Sequence, residues 1–524
     1  MHRTALTRRS AYRGRMSVNM AKNKQKKNPT KFDTVGWHKS LITDQRYRGK
    51  SSVTGRSIAE EAVSDRSRVL YSSAFRRLQQ RTQVFTISKD AAVRTRLTHS
   101  LEVASVGRWI AQKVVDGKLK GLGPLYGSAL VSLVETGCLA HDIGNPPFGH
   151  FGEFAIQAWF RGNWKAAAGK TLGRNRKLKV LIEDFLQFDG NPQGTRILAR
   201  LQGLTKKDRN LYGMDLTFSQ VLTALKYPRG PKDRRSRWKK KAGFFESERS
   251  RIEQAWGALK FKVQQRFPLA YFVEAADDIS YCISDMEDGI DKGVFTVKDF
   301  FTEIQSWVGE KSPKQPALTK LRREAWERSK DAETNPAEAK DHFMRFKVVF
   351  TRTMIEEAAR VYGDGSSQDI RGGSRLGLLD NTDADDLLNT LRNIAKKFLY
   401  VEEKVQKPFL AGLRIVHGIL DEYGELLKLK RDSFAKLRKA WKSKDREEVH
   451  KEKLQTLLPL LDHLPAHYLD VYDYTAEEKV SKKKWGVDAW EWFCRAHLIV
   501  DYLSGMTDDF AYRSYQVISG AQLE

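Results

Sequence analysis

His141-Asp142 closes the apolar stretch 128–140, where the chain runs out of a helical pattern into Gly144-Asn145-Pro146-Pro147. At such a helix end an imidazole and a carboxylate can turn toward one cation, and a mixed nitrogen and oxygen ligand set suits Mn2+, Fe2+, Zn2+ or, less well, Mg2+. Taken alone, the pair is also compatible with a capping aspartate beside a hydrogen-bonded histidine. His99 stands at the start of another amphipathic stretch, in Arg96-Leu-Thr-His-Ser, and Asp277 lies in Glu274-Ala-Ala-Asp-Asp. His150 and Glu153, three apart at the start of the segment after the Pro-Pro break, share a helix face and can hydrogen-bond. A carboxylate that fixes an imidazole in one orientation makes it a usable general acid, although an ordinary surface pair has the same spacing. Beyond Asp277, Tyr281 and Asp285 follow at four-residue steps, which stacks the three on one stripe. Asp278, the next residue, points about 100° away and reads as structural.

These residues need long helices to hold them. Apolar residues recur at three- and four-residue spacing over 101–114, 128–140, 269–290 and 490–503, and no convincing alternating strand is present. Prolines and glycines fall mainly between such segments, as at 145–147 and in the Gly/Ser-rich loop expected at 363–377, so the fold class is mainly α. A chain of 524 residues with 40% apolar content can bury a large core. It has no run of 18 or more apolar residues and no secretory h-region, which gives the cytoplasm as the expected location and no membrane partner. Cys138, Cys282 and Cys494 sit far apart within apolar helical patterns, as reduced core thiols do. The cluster Trp485, Trp490, Trp492 and Phe493 reads as core, with an interface as the alternative.

The formal charge of +27 attracts polyanions, either nucleic acid or a nucleotide's triphosphate. Residues 1–31 carry ten Lys or Arg and no acid and are expected to form a disordered basic arm. Residues 161–179 hold seven positive charges and no acid. The phrase Ala168-Gly-Lys-Thr171 is not a phosphate loop, because Trp164 occupies the first glycine's place and no strand leads into it. Residues 226–241 interleave basic side chains with Tyr227 and Trp238, and Phe244 and Phe245 follow, a pattern suited to single-stranded nucleic acid or to a triphosphate with its base.

His99, His141-Asp142 and Asp277 in this order resemble the signature of the HD phosphohydrolases. The segments Arg77–Phe85, Val93–Ser100, His141–Glu153, Ala275–Asp285 and Asp501–Asp508 resemble motifs of the bacterial dGTPases within that class. The resemblance implies an HD-domain helical core over 32–300, followed by a helical C-terminal region over 301–524. It implies one divalent ion, Mn2+ or Mg2+, held by His99, His141, Asp142 and Asp277, with His150 and Glu153 as the catalytic pair. It implies hydrolysis of dGTP to deoxyguanosine and triphosphate; a broader dNTP triphosphohydrolase or a nucleic-acid-binding HD protein are the alternatives. Substrate contacts implied in the same way are Gln83 and Asp285 at the 3′-hydroxyl, Tyr281 against the deoxyribose, and Lys226, Tyr227 and Lys241 on the triphosphate. Asn191, in Phe188-Asp-Gly-Asn-Pro-Gln-Gly194, is the implied phosphate or sugar contact, with Asp189 and Pro192 departing from the family's Glu and Ala. The family also implies a homo-oligomer, often a hexamer, and the basic surface is a candidate site for single-stranded DNA.

Overall fold

The computed structural model describes residues 32–522 except 50, 52, 86–92, 203–210, 234–240, 310–314, 335–337, 365–366, 375 and 444–453, so the expected arm at 1–31 and Trp238 lie outside the described residues. Among the described residues the regular structure is helical, with isolated bridges but no strand. The helices that matter for the site are α1 (Ile58–Leu70), α2 (Arg96–Asp116), α3 (Gly123–Ala140), α4 (His150–Leu172), α5 (Ala270–Asp291), α6 (Glu403–Lys428), α7 (Val487–Ser504) and α8 (Asp508–Ile518). Each apolar stretch expected from periodicity is one of these.

Helix α3 packs against α1, α2 and α5, and α2 against α5. Apolar side chains line α3 on nearly every side, and it is the one described helix long and apolar enough to cross a membrane; 72% of that stretch is buried inside the protein. The close meeting of α2, α3 and α5 depends on Gly107 of α2, where any Cβ would overlap the Cys138 sulfur and crowd Ala276. Cys138, Cys282 and Cys494 are all buried and unpaired, as the composition implied.

Two hydrophobic cores result. The first gathers α1, α2, α3 and α5 and continues across residue 300 to Val405, with Val471 joining it. The second gathers α4, α6 and α7, and there Trp490, Trp492 and Phe493 are fully buried, so this aromatic cluster is core. The indole N–H groups of Trp490 and Trp492 donate to the carbonyls of Thr475 (2.8 Å) and Leu427 (3.0 Å). The segment 141–150 crosses from one core to the other, with Ile143 in the first and Phe148 in the second.

One local expectation is corrected. The stretch 363–377 is not loop throughout: Ser367–Gly372 is a short helix. Ile370 is buried and anchors it, and Gly373, at φ +71°, ends it in a conformation that suits glycine.

Candidate active site

The first core places the metal-ligand candidates. Thr95 caps α2 by accepting from the Thr98 N–H, and the Thr98 hydroxyl oxygen accepts from the Thr95 N–H at 3.0 Å. That first turn sets Arg96 and His99 one above the other. His141 is the residue at which α3 ends, and Asp277 lies mid-way along α5. Asp277 Oδ1 is 3.3 Å from His99 Nε2 and 3.4 Å from His141 Nε2, and Asp142 Oδ1 is 3.5 Å from the same His141 nitrogen. Ligand atoms of His99, His141 and Asp277 all lie within 4.8 Å of one another.

This donor set fits a divalent cation. His141 Nδ1 donates to the Cys138 carbonyl at 2.7 Å, which fixes the ring orientation and directs Nε2 at the cluster. That Nε2 is buried with no hydrogen-bond partner, a costly state in an imidazole with nothing to bind. Burial opposes ionisation of both carboxylates, yet Arg96 and the two histidines hold Asp142 below the usual carboxylate range. Lys226 and His141 hold Asp277 well below it. Both carboxylates are therefore anionic at neutral pH. Arg96 donates to Asp142 Oδ2 at 2.7 Å, Gln83 at 3.3 Å, and Asn145 binds Oδ1, so Asp142 is oriented from three sides.

The second core supplies the other half. His150 is the first residue of α4, and its Nδ1 is 2.8 Å from Glu153 Oε2. An ionised carboxylate can only accept, so Nδ1 carries the hydrogen and Nε2 is directed away from Glu153. Glu153 is buried, accepts from the Gly190 N–H at 2.7 Å, and faces Lys241 at 3.5 Å. Burial raises its affinity for a proton, but His150 and Lys241 outweigh that and leave it at about 2. His150 itself is largely exposed, with its side chain 75% accessible. Phe148, just before it, holds a φ of 63°, unusual for a bulky side chain and available only because the surroundings fix it.

Between the halves lies a cavity of about 590 Å3, a volume that fits a nucleotide-sized ligand. Its wall contains His99, His141, Asp142, Asp277, His150, Gln83, Asn191, Lys226, Tyr227, Lys241 and Tyr281, so these sequence-derived residues converge from segments almost 200 residues apart. Glu153 and Asp285 are not in the wall: Glu153 stands behind His150, and Asp285 behind Tyr400. Lys226 Nζ bonds Asp277 Oδ2 at 2.5 Å, and Lys241 Nζ bonds Asp189 Oδ2 at 2.6 Å. Asp189 also caps the helix Gly190–Arg196, accepting from the Asn191 backbone N–H (2.9 Å) and side-chain amide (2.6 Å). Asp278 lies at the rim, 3.4 Å from Arg392, and burial pushes its carboxyl up to about 6.

Sequence reasoning missed Arg96, Asn145, Tyr400 and Gln406, which also line the cavity. Arg96 was findable, three residues before His99 on the same helix face. Tyr400 carried no local signal.

The C-terminal motif supports the site without entering it. Buried Arg81 donates to the Met506 carbonyl at 3.0 Å and also to those of Asn145 and Ser504. Asp508 accepts from the Phe148 N–H (2.9 Å) and the Thr82 hydroxyl (2.9 Å), tying α8 to the turn before His150. Asp501 of α7 receives Arg196 through two nitrogens, at 2.9 and 2.7 Å, and Gln193 at 2.9 Å. Asp501→Ala leaves Arg196 buried with Glu248 as its remaining carboxylate, so a loss of about 3–5 kcal/mol is expected in denaturant unfolding. A loss under about 1 kcal/mol would contradict this, being the range of an exposed pair.

Gly144 is a second place where only glycine fits. A Cβ there would overlap the Gly194 amide and the Gly190 carbonyl, which brings the turn after His141-Asp142 directly against the Asn191 helix. Gly144→Ala is expected to push these backbones apart, lowering both the melting temperature and metal affinity. Unchanged metal affinity would show that the two segments are not coupled.

Residues 96–188 match the HD domain, which spans the candidate ligands His99, His141 and Asp142 and the His150–Glu153 pair. Over 93% of its length the chain is 34% identical to the deoxyguanosinetriphosphate triphosphohydrolase of Cronobacter sakazakii, 98% of which is covered. The chain belongs to the deoxyguanosinetriphosphate triphosphohydrolase family. It is accordingly an enzyme, a hydrolase built on an HD domain; HD domains bind divalent metals, and the His99, His141 and Asp277 group is a candidate site for one. The similarity to this relative extends well beyond the HD domain, since it takes in 93% of the chain.

Proposed function

We propose that this protein hydrolyses dGTP to deoxyguanosine and inorganic triphosphate by attack of water at the α-phosphorus. The observation that carries this is a single cavity in which a His/Asp cluster with one orphaned imidazole nitrogen faces a His–Glu pair and two lysines. Guanine comes from the name of the relative in Cronobacter sakazakii; the cavity chemistry by itself supports triphosphate hydrolysis of a deoxynucleotide.

One Mn2+ or Mg2+ ion is assigned to His99, His141, Asp142 and Asp277. When bound, it supplies Lewis acidity at the phosphate and lowers the pKa of water. Lys226, Lys241, Tyr227 and Asn191 grip the triphosphate, and flexible ammonium groups suit a spread of phosphate oxygens. Lys226 and Lys241 are ion-paired before substrate arrives, so the phosphates displace or share existing carboxylate partners. His150, with Nδ1 held by Glu153, donates its Nε2 proton to the departing 5′-oxygen as the bond from water oxygen to phosphorus forms and the phosphorus–O5′ bond breaks. The proton shed by the attacking water passes to solvent. Tyr281 packs where a ribose 2′-hydroxyl would sit, and Gln83 lies on the sugar side.

The test is product identification by anion-exchange chromatography, with purified protein, Mn2+ or Mg2+, and dGTP, dATP, dCTP, dTTP and GTP in parallel. Deoxyguanosine and triphosphate from dGTP are expected. Comparable turnover of several dNTPs would keep the mechanism and remove the guanine preference, and no cleavage with any metal would overturn the reading.

A further inference from the structure

Two wall residues assigned above to the phosphates, Lys241 and Asn191, are held by one carboxylate behind the wall. Asp189 is 4% exposed and does not line the cavity. Its Oδ2 accepts from Lys241 Nζ at 2.6 Å, and its Oδ1 accepts from the Asn191 side-chain amide at 2.6 Å and from the Asn191 backbone N–H at 2.9 Å. Both segments are anchored away from the cavity. Asp189 is extended and directly follows Phe188, which is fully buried, stacks on Phe245 with ring centroids 5.9 Å apart, and accepts from the Gln157 side-chain amide at 2.8 Å through its carbonyl. The Thr195 hydroxyl donates to the Gly243 carbonyl at 2.7 Å, so the helix that carries Asn191 also fixes the backbone two residues after Lys241.

The donors left over define what can bind. An ammonium has three N–H donors and a primary amide has two. Lys241 commits one to Asp189 and turns a second toward Glu153 at 3.5 Å, which leaves one. Asn191 commits one to Asp189 and keeps the other. Both residues line the cavity, and the oxygens of an ionised phosphate chain, which only accept, suit both remaining donors. Three hydrogens already point at Asp189, and it stands behind the wall, so a ligand in the cavity meets the two donors and not the carboxylate. A free lysine stem loses rotamer freedom when its ammonium is gripped; one that Asp189 already holds has lost that freedom before the ligand arrives.

We propose that Asp189 is a positioning residue that fixes Lys241 and Asn191 as one two-pronged grip on the triphosphate and touches no substrate atom itself. This rests on the triphosphohydrolase reading above. It also decides how Lys241 meets its ligand: the phosphates share the ammonium with Asp189 and do not displace the carboxylate.

The experiment measures kcat and KM for dGTP, and product inhibition by inorganic triphosphate and by deoxyguanosine, in the full-length metal-loaded enzyme and in Asp189→Asn, Lys241→Ala and the double variant. Asparagine caps a helix as well as aspartate does, so Asp189→Asn keeps an acceptor for Asn191 and removes the charge that holds Lys241. It is expected to raise KM for dGTP and Ki for triphosphate together by about tenfold, with kcat within about threefold and Ki for deoxyguanosine within about twofold of the wild type. The double variant is expected to lose no more than Lys241→Ala, because Asp189→Asn then has no ammonium to release. An unmoved Ki for triphosphate in Asp189→Asn overturns the proposal, and so do additive losses in the double variant. A loosened fold would weaken triphosphate and deoxyguanosine together, and that result overturns it as well. A wild type that cleaves no deoxynucleotide removes the functional reading itself, whereas a wild type that cleaves dGTP, with triphosphate inhibition unmoved in Asp189→Asn, removes only the role of Asp189.

Discussion

Replacing His150 with alanine is expected to lower kcat by about two to four powers of ten while metal content and nucleotide affinity stay close to those of the wild type, the usual contribution of a positioned general acid. The geometry separates these effects. His150 begins α4, which packs in the second core; its side chain is largely exposed, and it forms no hydrogen bond or ion pair with His99, His141 or Asp277. Its removal therefore leaves the ligand cluster intact. Glu153 is different, because it also accepts from the Gly190 backbone and faces Lys241. Glu153→Gln should then impair both turnover and the seating of the Asn191 helix. Steady-state kinetics together with nucleotide titration separate the two. A His150→Ala enzyme with near wild-type kcat would remove the general-acid role.

Asp277→Ala is expected to abolish metal binding and reduce activity on the order of a thousandfold, the equivalent of several kcal/mol of transition-state stabilisation. Asp277 is the carboxylate that both histidines face, and it also neutralises Lys226 at 2.5 Å. Its loss leaves the Lys226 ammonium beside two imidazoles in a buried site, which disfavours a second cation there. Asp278→Ala is the internal control: its carboxylate turns toward Arg392 at the rim, and metal content should be kept. Elemental analysis of both purified variants decides this. Full metal content in Asp277→Ala would mean that the neighbouring aspartate is the ligand.

Much of the site was readable in advance because its residues stand at helix ends and on single helix faces. His141 and Asp142 lie where an apolar stretch meets Gly and Pro, and periodicity locates that point directly. His150 and Glu153 share a face by spacing alone, and the structure pairs them at 2.8 Å. What periodicity cannot supply is the meeting of distant segments. Tyr400 reaches Asp285 across 115 positions, and Arg81 reaches Met506 across 425. The interleaving of two cores, with the segment 141–150 passing between them, likewise follows from packing around Gly107 and Gly144 and not from any local pattern. The stretch 363–377 misled because its glycines suggested loop, whereas buried Ile370 is enough to hold one short helix.

Hydrolysis in water enriched in heavy oxygen tests the proposed bond cleavage most directly, with the products separated and weighed by mass spectrometry. Attack at the α-phosphorus with departure of the 5′-oxygen predicts one labelled oxygen in the triphosphate and none in the deoxyguanosine. Label in the 5′-hydroxyl of the nucleoside, or products of dGMP and pyrophosphate, would contradict it.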